Sequence, residues 1–281
     1  MHTDNFQSTT HYSQFVPTRM LTPFVACYWT ITGADENPAT RIRVLPDGCM
    51  DIIFDFIGSI RFAEPAQDTN YTSFMVGIQE TSMVEPLPVT PKMLGIRFRP
   101  GAVTSLLGFS APEFSESHVD LDGVLPDFSR LVFSYAGDMN TPRKMVAVVE
   151  RLLLERLGSL PDSHALTRQA VTNLWKGRAH HSISRLADAM GIHQRKLERT
   201  LRAHTGLTPK QLGRTMRFVS ATRSLHANPH QSLASIALDL GYTDQPHFTR
   251  EFKRMAGLSP TRWLKECQSV DFLQYTPVPL M

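Results

Sequence analysis

The chain lacks the residues that most soluble enzymes and secreted domains depend on. Its 281 residues include three cysteines, Cys27, Cys49 and Cys267, odd in number, far apart and in no C-x-x-C pair. That pattern supplies neither a disulfide framework nor a zinc site, so the expectation is inert thiols in a reducing cytoplasm. It also leaves too few ligands for a metal-bound, methyl-accepting cysteine. Histidine is scarce where a catalytic half would lie: residues 1–163 hold only His2, His11 and His118, with no H-x-H pair. A metal centre needs clustered imidazoles and carboxylates, so no metal and no cofactor is expected. There is no G-x-S-x-G nucleophile elbow and no glycine-rich phosphate loop; the expectation is that the protein is not an enzyme. No apolar run reaches the roughly 18 residues of a membrane span. The opening stretch MHTDNFQSTTHYSQF has no basic segment followed by an apolar one, so no signal peptide is read and a cytoplasmic protein without a membrane partner is expected.

Charge is present but unevenly placed. The net charge of +3 conceals 12 Lys and Arg against 19 Asp and Glu in residues 1–163, net −7. Residues 164–281 carry 17 against 7, net +10, and most of the histidines. Such asymmetry points one half of the chain, and not the other, toward a polyanion. At this length two domains with separate cores fit comfortably.

The acidic half reads as β-rich. FVACYWTI (24–31), RIRVLP (41–46), MDIIFDFI (50–57), TSFMVGI (72–78) and MLGIRFR (93–99) are short β-branched and aromatic runs. Turn formers such as Gly33, Pro46-Asp47-Gly48, Gly58 and Pro91 separate them, the spacing of a barrel or sandwich. Helices are expected at 101–108, 128–136 and 141–158. The last has Thr141 as cap, Pro142 at its first position and an apolar stripe of Met145, Val149, Leu152, Leu153 and Leu157. With Leu154 its apolar surface exceeds one face, so it serves either its own domain or a homodimer interface. A helix over 164–177 opens the basic region after the link Gly158–Asp162. The expected architecture is therefore α+β in two domains. Residues 1–160 form a β-rich domain with helices, 164–266 form an all-α domain and 267–281 a tail.

The basic half repeats itself. Ser182, Ala187 and Gly191 recur as Ser232, Ala237 and Gly241, fifty residues on. After one extra residue Leu197, Arg199, Gly206 and Pro209 recur as Phe248, Arg250, Gly257 and Pro260. Each element has a physical role: a serine to cap the first helix, an alanine where two helices cross, and a glycine for the turn between them. A second helix then runs over about 193–203 and again over about 244–255. This is helix–turn–helix, twice. In the first unit Leu197 and Leu201 face inward, while Arg195, Arg199 and Arg202 share another face. In the second, Phe248 and Phe252 face inward. Gln245, Thr249 and either Arg250 or Lys253 then face outward. Arg suits guanine edges, Gln suits adenine and the Thr methyl suits thymine, so the expected partner is the major groove of double-stranded DNA. The connector PKQLGRTMRFVSATRSLHA (209–227) has an apolar stripe of Leu212, Met216, Val219 and Leu225. As a helix it is about 28 Å long, comparable with the roughly 34 Å between successive major-groove windows on one side of a duplex.

IALDLGYTDQPHFTREFKRMAGLSPTRW (236–263) resembles the second half of the AraC/XylS signature, IAxxxGYxxxxxFxRxFKRxxGxSP. The resemblance extends over about 166–265. It implies two helix-turn-helix subdomains joined by a long helix. By motif position it implies DNA contacts from Arg195, Glu198 and Arg199 in the first unit, with His193 and Gln194 as further candidates. In the second it implies contacts from Gln245, Thr249 and Arg250. RVLPDGCMDIIF (43–54) and LGIRFRPGAVTSLLG (94–108) resemble an N-terminal domain found in AraC-type regulators, for which a cupin-like barrel is the analogy. The resemblance implies a regulator whose N-terminal domain senses a small-molecule effector. The alternative is a constitutive regulator whose N-terminal domain only dimerises or binds a protein partner. An activator would in addition touch RNA polymerase. Trp29, Asp51, Arg97 and Arg99 are the candidate effector residues. Arg97 and Arg99 share a strand face and either pair with Asp47, Asp51 or Asp55 or take an anion.

Overall fold

In a computed structural model the described residues are 11–33, 41–58, 71–86, 90–114, 118–139, 141–157, 164–176 and 183–269. The expected interdomain link at 158–163, the Ser182 cap and the tail beyond 269 lie outside them.

Alternation of side chains builds the N-terminal half. Strands β1 (His11–Phe15), β2 (Val25–Thr32), β3 (Arg41–Val44), β4 (Met50–Asp55), β5 (Ser73–Val76), β6 (Met83–Pro86), β7 (Lys92–Phe98) and β8 (His118–Asp120) are all paired antiparallel. Six form one sheet, in the order β1-β2-β7-β4-β5-β8, and β3 and β6 form a separate ribbon. The register places Tyr28, Ile96, Ile52 and Met75 in one row. That row and its neighbours Phe54, Leu94 and Phe98 are completely or almost completely buried and join the main core. The opposite face carries Cys27, Trp29, Ile31 and Met93, a second, smaller cluster. β2 is thus covered on both faces, which is why its sequence does not alternate polar with apolar.

The main core is closed by α1 (Ala102–Leu107), a 3₁₀ turn (Ala111–Phe114), α2 (Leu121–Val124), α3 (Pro126–Ala136) and α4 (Pro142–Leu157). Phe54 meets Phe128 and Phe133 with ring centroids 6.1 and 5.8 Å apart. Of the apolar surplus on α4, Leu152 and Leu153 are buried in this core, and Leu154 and Leu157 pack against it.

The C-terminal half is helical: α5 (His164–Lys176), α6 (Ile183–Ala189), α7 (Gln194–Thr205), α8 (Pro209–Ala227), α9 (Leu233–Asp239), α10 (Gln245–Ala256) and α11 (Pro260–Ser269). The two helix-turn-helix units are α6–α7 and α9–α10. Gly191 and Gly241 turn the chain between their helices at φ of 63° and 72°, a conformation that favours glycine. Ala187 and Ala237 are buried. α8 begins in a full capping box between Thr208 and Gln211. Its expected stripe is buried, with Phe218 and Ala221 added.

The cores do not follow the sequence boundary. Leu186, Leu197, Leu201 and Leu212 belong to the same buried cluster as the sheet, whereas the second unit centres a separate cluster on Phe248, Phe252 and Trp263, which Leu45 of the N-terminal half joins. Close backbone approach makes the first junction. Gly101, at φ 81°, sits where a Cβ would lie 2.7 Å from Thr167 Cγ2, and Thr104 Oγ1 donates to the His204 carbonyl at 3.1 Å. The second unit is fastened too. The Ser82 amide donates to the Met255 carbonyl at 2.7 Å, and Arg43 Nη1 donates to the Ala256 carbonyl at 3.2 Å. These two carbonyls end α10, where a cation and an amide donor offset the negative end of the helix.

Gly101→Ala is expected to destabilise by about 3 kcal/mol, combining left-handed backbone strain with overpacking. Gly108→Ala shares the positive φ but meets nothing within 4 Å, so it is expected to cost only about 1 kcal/mol. Denaturant titration of both checks the difference. Burial lowers the His204 pKa below the usual value of 6.5. The unfolded chain therefore binds a proton first as pH falls, so this group's contribution to stability declines on acidification below about 6.5. His204→Gln should flatten the stability profile between pH 7.5 and 5.5.

Candidate nucleic-acid interface

α7 presents two faces because its apolar residues recur every four. Leu197 and Leu201 are fully buried, while Arg195, Arg199 and Arg202 are exposed. None of the three arginines has a carboxylate partner among the described residues. His193 is the N-cap: its Nδ1 accepts the Arg195 amide hydrogen at 3.2 Å. Gln194 Nε2 donates to Glu198 Oε1 at 2.8 Å. Glu198 is thereby held by Gln194 one turn away rather than by an arginine, and both side chains lie along the basic face.

α10 is built the same way with larger core residues. Asp244 caps it, accepting from the His247 amide at 2.6 Å. Pro246 falls in the first turn, where no amide donor is needed. Phe248 and Phe252 are buried in an aromatic chain with Tyr242, Phe218 and Trp263, at centroid distances of 5.1 to 5.9 Å. Gln245, Arg250 and Lys253 are exposed and Thr249 is half-buried. The choice between Arg250 and Lys253 left open by the spacing is not forced, because both reach solvent. Arg250 also lines a cavity between α8 and α10 with Lys210, Arg214, Arg217, His247, Glu251 and Arg254. The α8 residues were not among the candidates above. Their i, i+4, i+7 spacing was the available signal, but it lay beside the apolar stripe that identified the connector.

In the N-terminal half three of the four effector candidates come together on the second face of the sheet. Trp29 Nε1 donates to Asp51 Oδ1 at 2.9 Å, and Arg97 Nη1 donates to Asp51 Oδ2 at 3.1 Å. Arg97 also pairs with Asp47. Burial alone would lower the Arg97 pKa, but Asp47 and then Asp51 reverse that and hold it well above the usual value. Burial raises the Asp51 pKa, and Arg97 counters this. The same burial pushes the nearby Cys27 thiol up to about 12, which keeps it protonated and unreactive at neutral pH. Trp29 occupies the space beside Gly95, where a Cβ would be 1.9 Å from the indole. Arg99 is elsewhere: its Nε donates to the Thr22 carbonyl at 2.7 Å and steadies the turn before β2. Of the two alternatives for Arg97, pairing with the chain's own carboxylates is the one observed. No three His, Cys, Asp or Glu side chains among the described residues are grouped as a metal site. No helix among them is long and apolar enough to cross a membrane.

Residues 186–266 match the family model described as "Helix-turn-helix domain". Residues 13–120 match "Domain of unknown function (DUF6597)". The "HTH-type transcriptional activator RhaS" of Escherichia fergusonii is 39% identical over 75 residues, 27% of each chain. That of Salmonella paratyphi A is 28% identical over 148 residues, 49% of this chain and 53% of the relative. The chain thus spans between about a quarter and about half the length of these relatives. Among solved structures, ToxT from Vibrio cholerae O395 aligns with 93% of this chain and 98% of its own at 12% identity and a TM-score of 0.44. A regulator with an AraC-type DNA-binding domain from Chromobacterium violaceum aligns with 39% of this chain and 96% of its own, at 23% identity and a TM-score of 0.36.

Arg97→Met strands Asp51 without its cation and is expected to destabilise the protein by about 3 kcal/mol. The double variant Arg97→Met/Asp51→Leu should recover part of that loss. A double variant no more stable than the single one would show that the ion pair is not the source of the cost.

Proposed function

We propose that the C-terminal region is an AraC/XylS-type double helix-turn-helix domain and that the protein is a sequence-specific, DNA-binding transcription regulator. One observation carries the reading: two units of the same design each expose a basic helix face that no carboxylate among the described residues neutralises. In the proposed complex α7 and α10 enter successive major-groove windows. Arg195, Arg199 and Arg202 act from α7, with His193, Gln194 and Glu198 at its entry. Gln245, Thr249, Arg250 and Lys253 act from α10. Some of these side chains contact phosphate and position the protein, and others read base edges. The relatives are named as transcriptional activators, which supports activation, and with it a contact to RNA polymerase, as the output.

Residues 1–160 are proposed as the sensing domain and 164–266 as the reading domain. The buried Trp29–Asp51–Arg97 cluster, on a sheet face separate from the main core, supports a small-molecule effector site there. A homodimer is retained as the assembly, although α4 spends its leucines on its own domain. The constitutive alternative would leave DNA affinity indifferent to every small molecule.

Arg199→Ala and Arg250→Ala are each expected to weaken specific binding by about 1–3 kcal/mol, measured by electrophoretic shift on sites from genome-wide mapping. Unchanged specific binding in both variants would overturn the docking.

A further inference from the structure

α8 is more than a spacer. Between it and α10 lies a cavity of about 500 Å³. Its α8 wall carries Lys210, Arg214 and Arg217, at the i, i+4, i+7 spacing that aligns side chains on one helix face. Its α10 wall carries His247, Arg250 and Arg254, spaced i, i+3, i+7, with Glu251 beside them. Five lining residues are permanent cations and one is a carboxylate. That carboxylate is engaged: Glu251 faces Arg217 at 3.8 Å, and Arg217 lies over the Tyr242 ring at 5.5 Å. Lys210, Arg214, Arg250 and Arg254 have no carboxylate partner among the described residues.

Gathering four such cations between two helices costs repulsion that packing does not require. An anion entering the cleft would convert the repulsion into attraction. Arginine forks take phosphate oxygens in pairs, and a lysine adds a point charge. Arg250 belongs both to the cleft and to the exposed face of α10, so the cleft is continuous with the surface proposed to meet DNA.

We propose that this cleft binds a backbone phosphate of the DNA whose major groove α10 enters. Lys210 and Arg214 close on it from α8, and Arg250 and Arg254 from α10. The inference rests on the DNA-binding reading above and adds to it a contact from the connector helix. Such a contact fixes the register of α10 without reading sequence.

The test uses the full chain with Lys210→Gln, Arg214→Gln and the charge-keeping Arg214→Lys, each checked for unaltered thermal unfolding. Affinity is measured for a mapped site and for an unrelated duplex across a salt series. Each Gln variant should weaken both duplexes equally, by roughly fivefold at 0.15 M salt, and reduce the log–log salt slope by a fraction of the ~0.9 that one whole phosphate contributes. Arg214→Lys should restore most of the slope. Wild-type slope and affinity in both Gln variants would overturn the inference while leaving the regulator reading intact. No binding of any mapped duplex by the wild type would remove the regulator reading itself. A free phosphorylated small molecule is the competing source of the anion. It is represented by pyrophosphate at constant ionic strength. Stabilisation by pyrophosphate that is lost in Arg214→Gln, with an unchanged DNA salt slope, would overturn the DNA assignment in favour of that ligand.

Discussion

The close approach of the Gly101 turn to α5 and α7 is the constraint on which the rest of the arrangement depends. A side chain there would collide with Thr167, and its absence lets Thr104 reach the His204 carbonyl. With that gap closed, apolar residues of the sheet and of the first helix-turn-helix unit share one core. The second unit has a separate core that Leu45 of the N-terminal half enters, and it is held in addition by a few directional bonds, chiefly from Ser82 and Arg43 to the end of α10. The first unit is therefore fused to the N-terminal half through a broad shared core, and the second is joined to it by Leu45 and those bonds. Shared apolar cores are expensive to separate, whereas a small set of hydrogen bonds exchanges more readily with water.

The sheet divides its labour by face. The face toward the helices is apolar apart from Thr30 and Ser73, whose hydroxyl meets that of Ser129 on α3 at 2.8 Å, and the other carries Trp29, Asp51 and Arg97 in a buried polar network. Such a network is stable only when every member is partnered, and here Asp47 completes it. The network uses both fork positions of Arg97 internally. A small molecule seated beside it would act on a group already held in place, with Asp47, only partly buried, as the partner within reach.

The helical C-terminal half follows a simpler rule. Leucines in α7 and phenylalanines in α10 bury one side of each helix, and the opposite sides carry cations with no carboxylate partner among the described residues. His193 and Asp244 occupy matching caps, so the first turns of the two helices are set by side-chain acceptors as well as by the turn glycines.

Much of this was legible in the residues. Hydrophobic period marked the connector as Pro209–Ala227, and the fifty-residue offset placed both units, because local periodicity and caps depend on neighbours in the chain. The short β1, β6 and β8 strands and the small helix α2 carried too little pattern to be found. The grouping of Trp29, Asp51 and Arg97 was legible as candidates but not as a network, since strand register between β2, β4 and β7 sets which side chains meet. The sequence by itself determined the two helix-turn-helix units, their inward and outward faces and the β-rich character of the other half. Tertiary structure alone decided that the core crosses from one half into the first unit, that Arg97 is paired internally, and that α8 and α10 enclose a basic cleft. Those facts depend on contacts between residues far apart in the chain, and no local period encodes such distances.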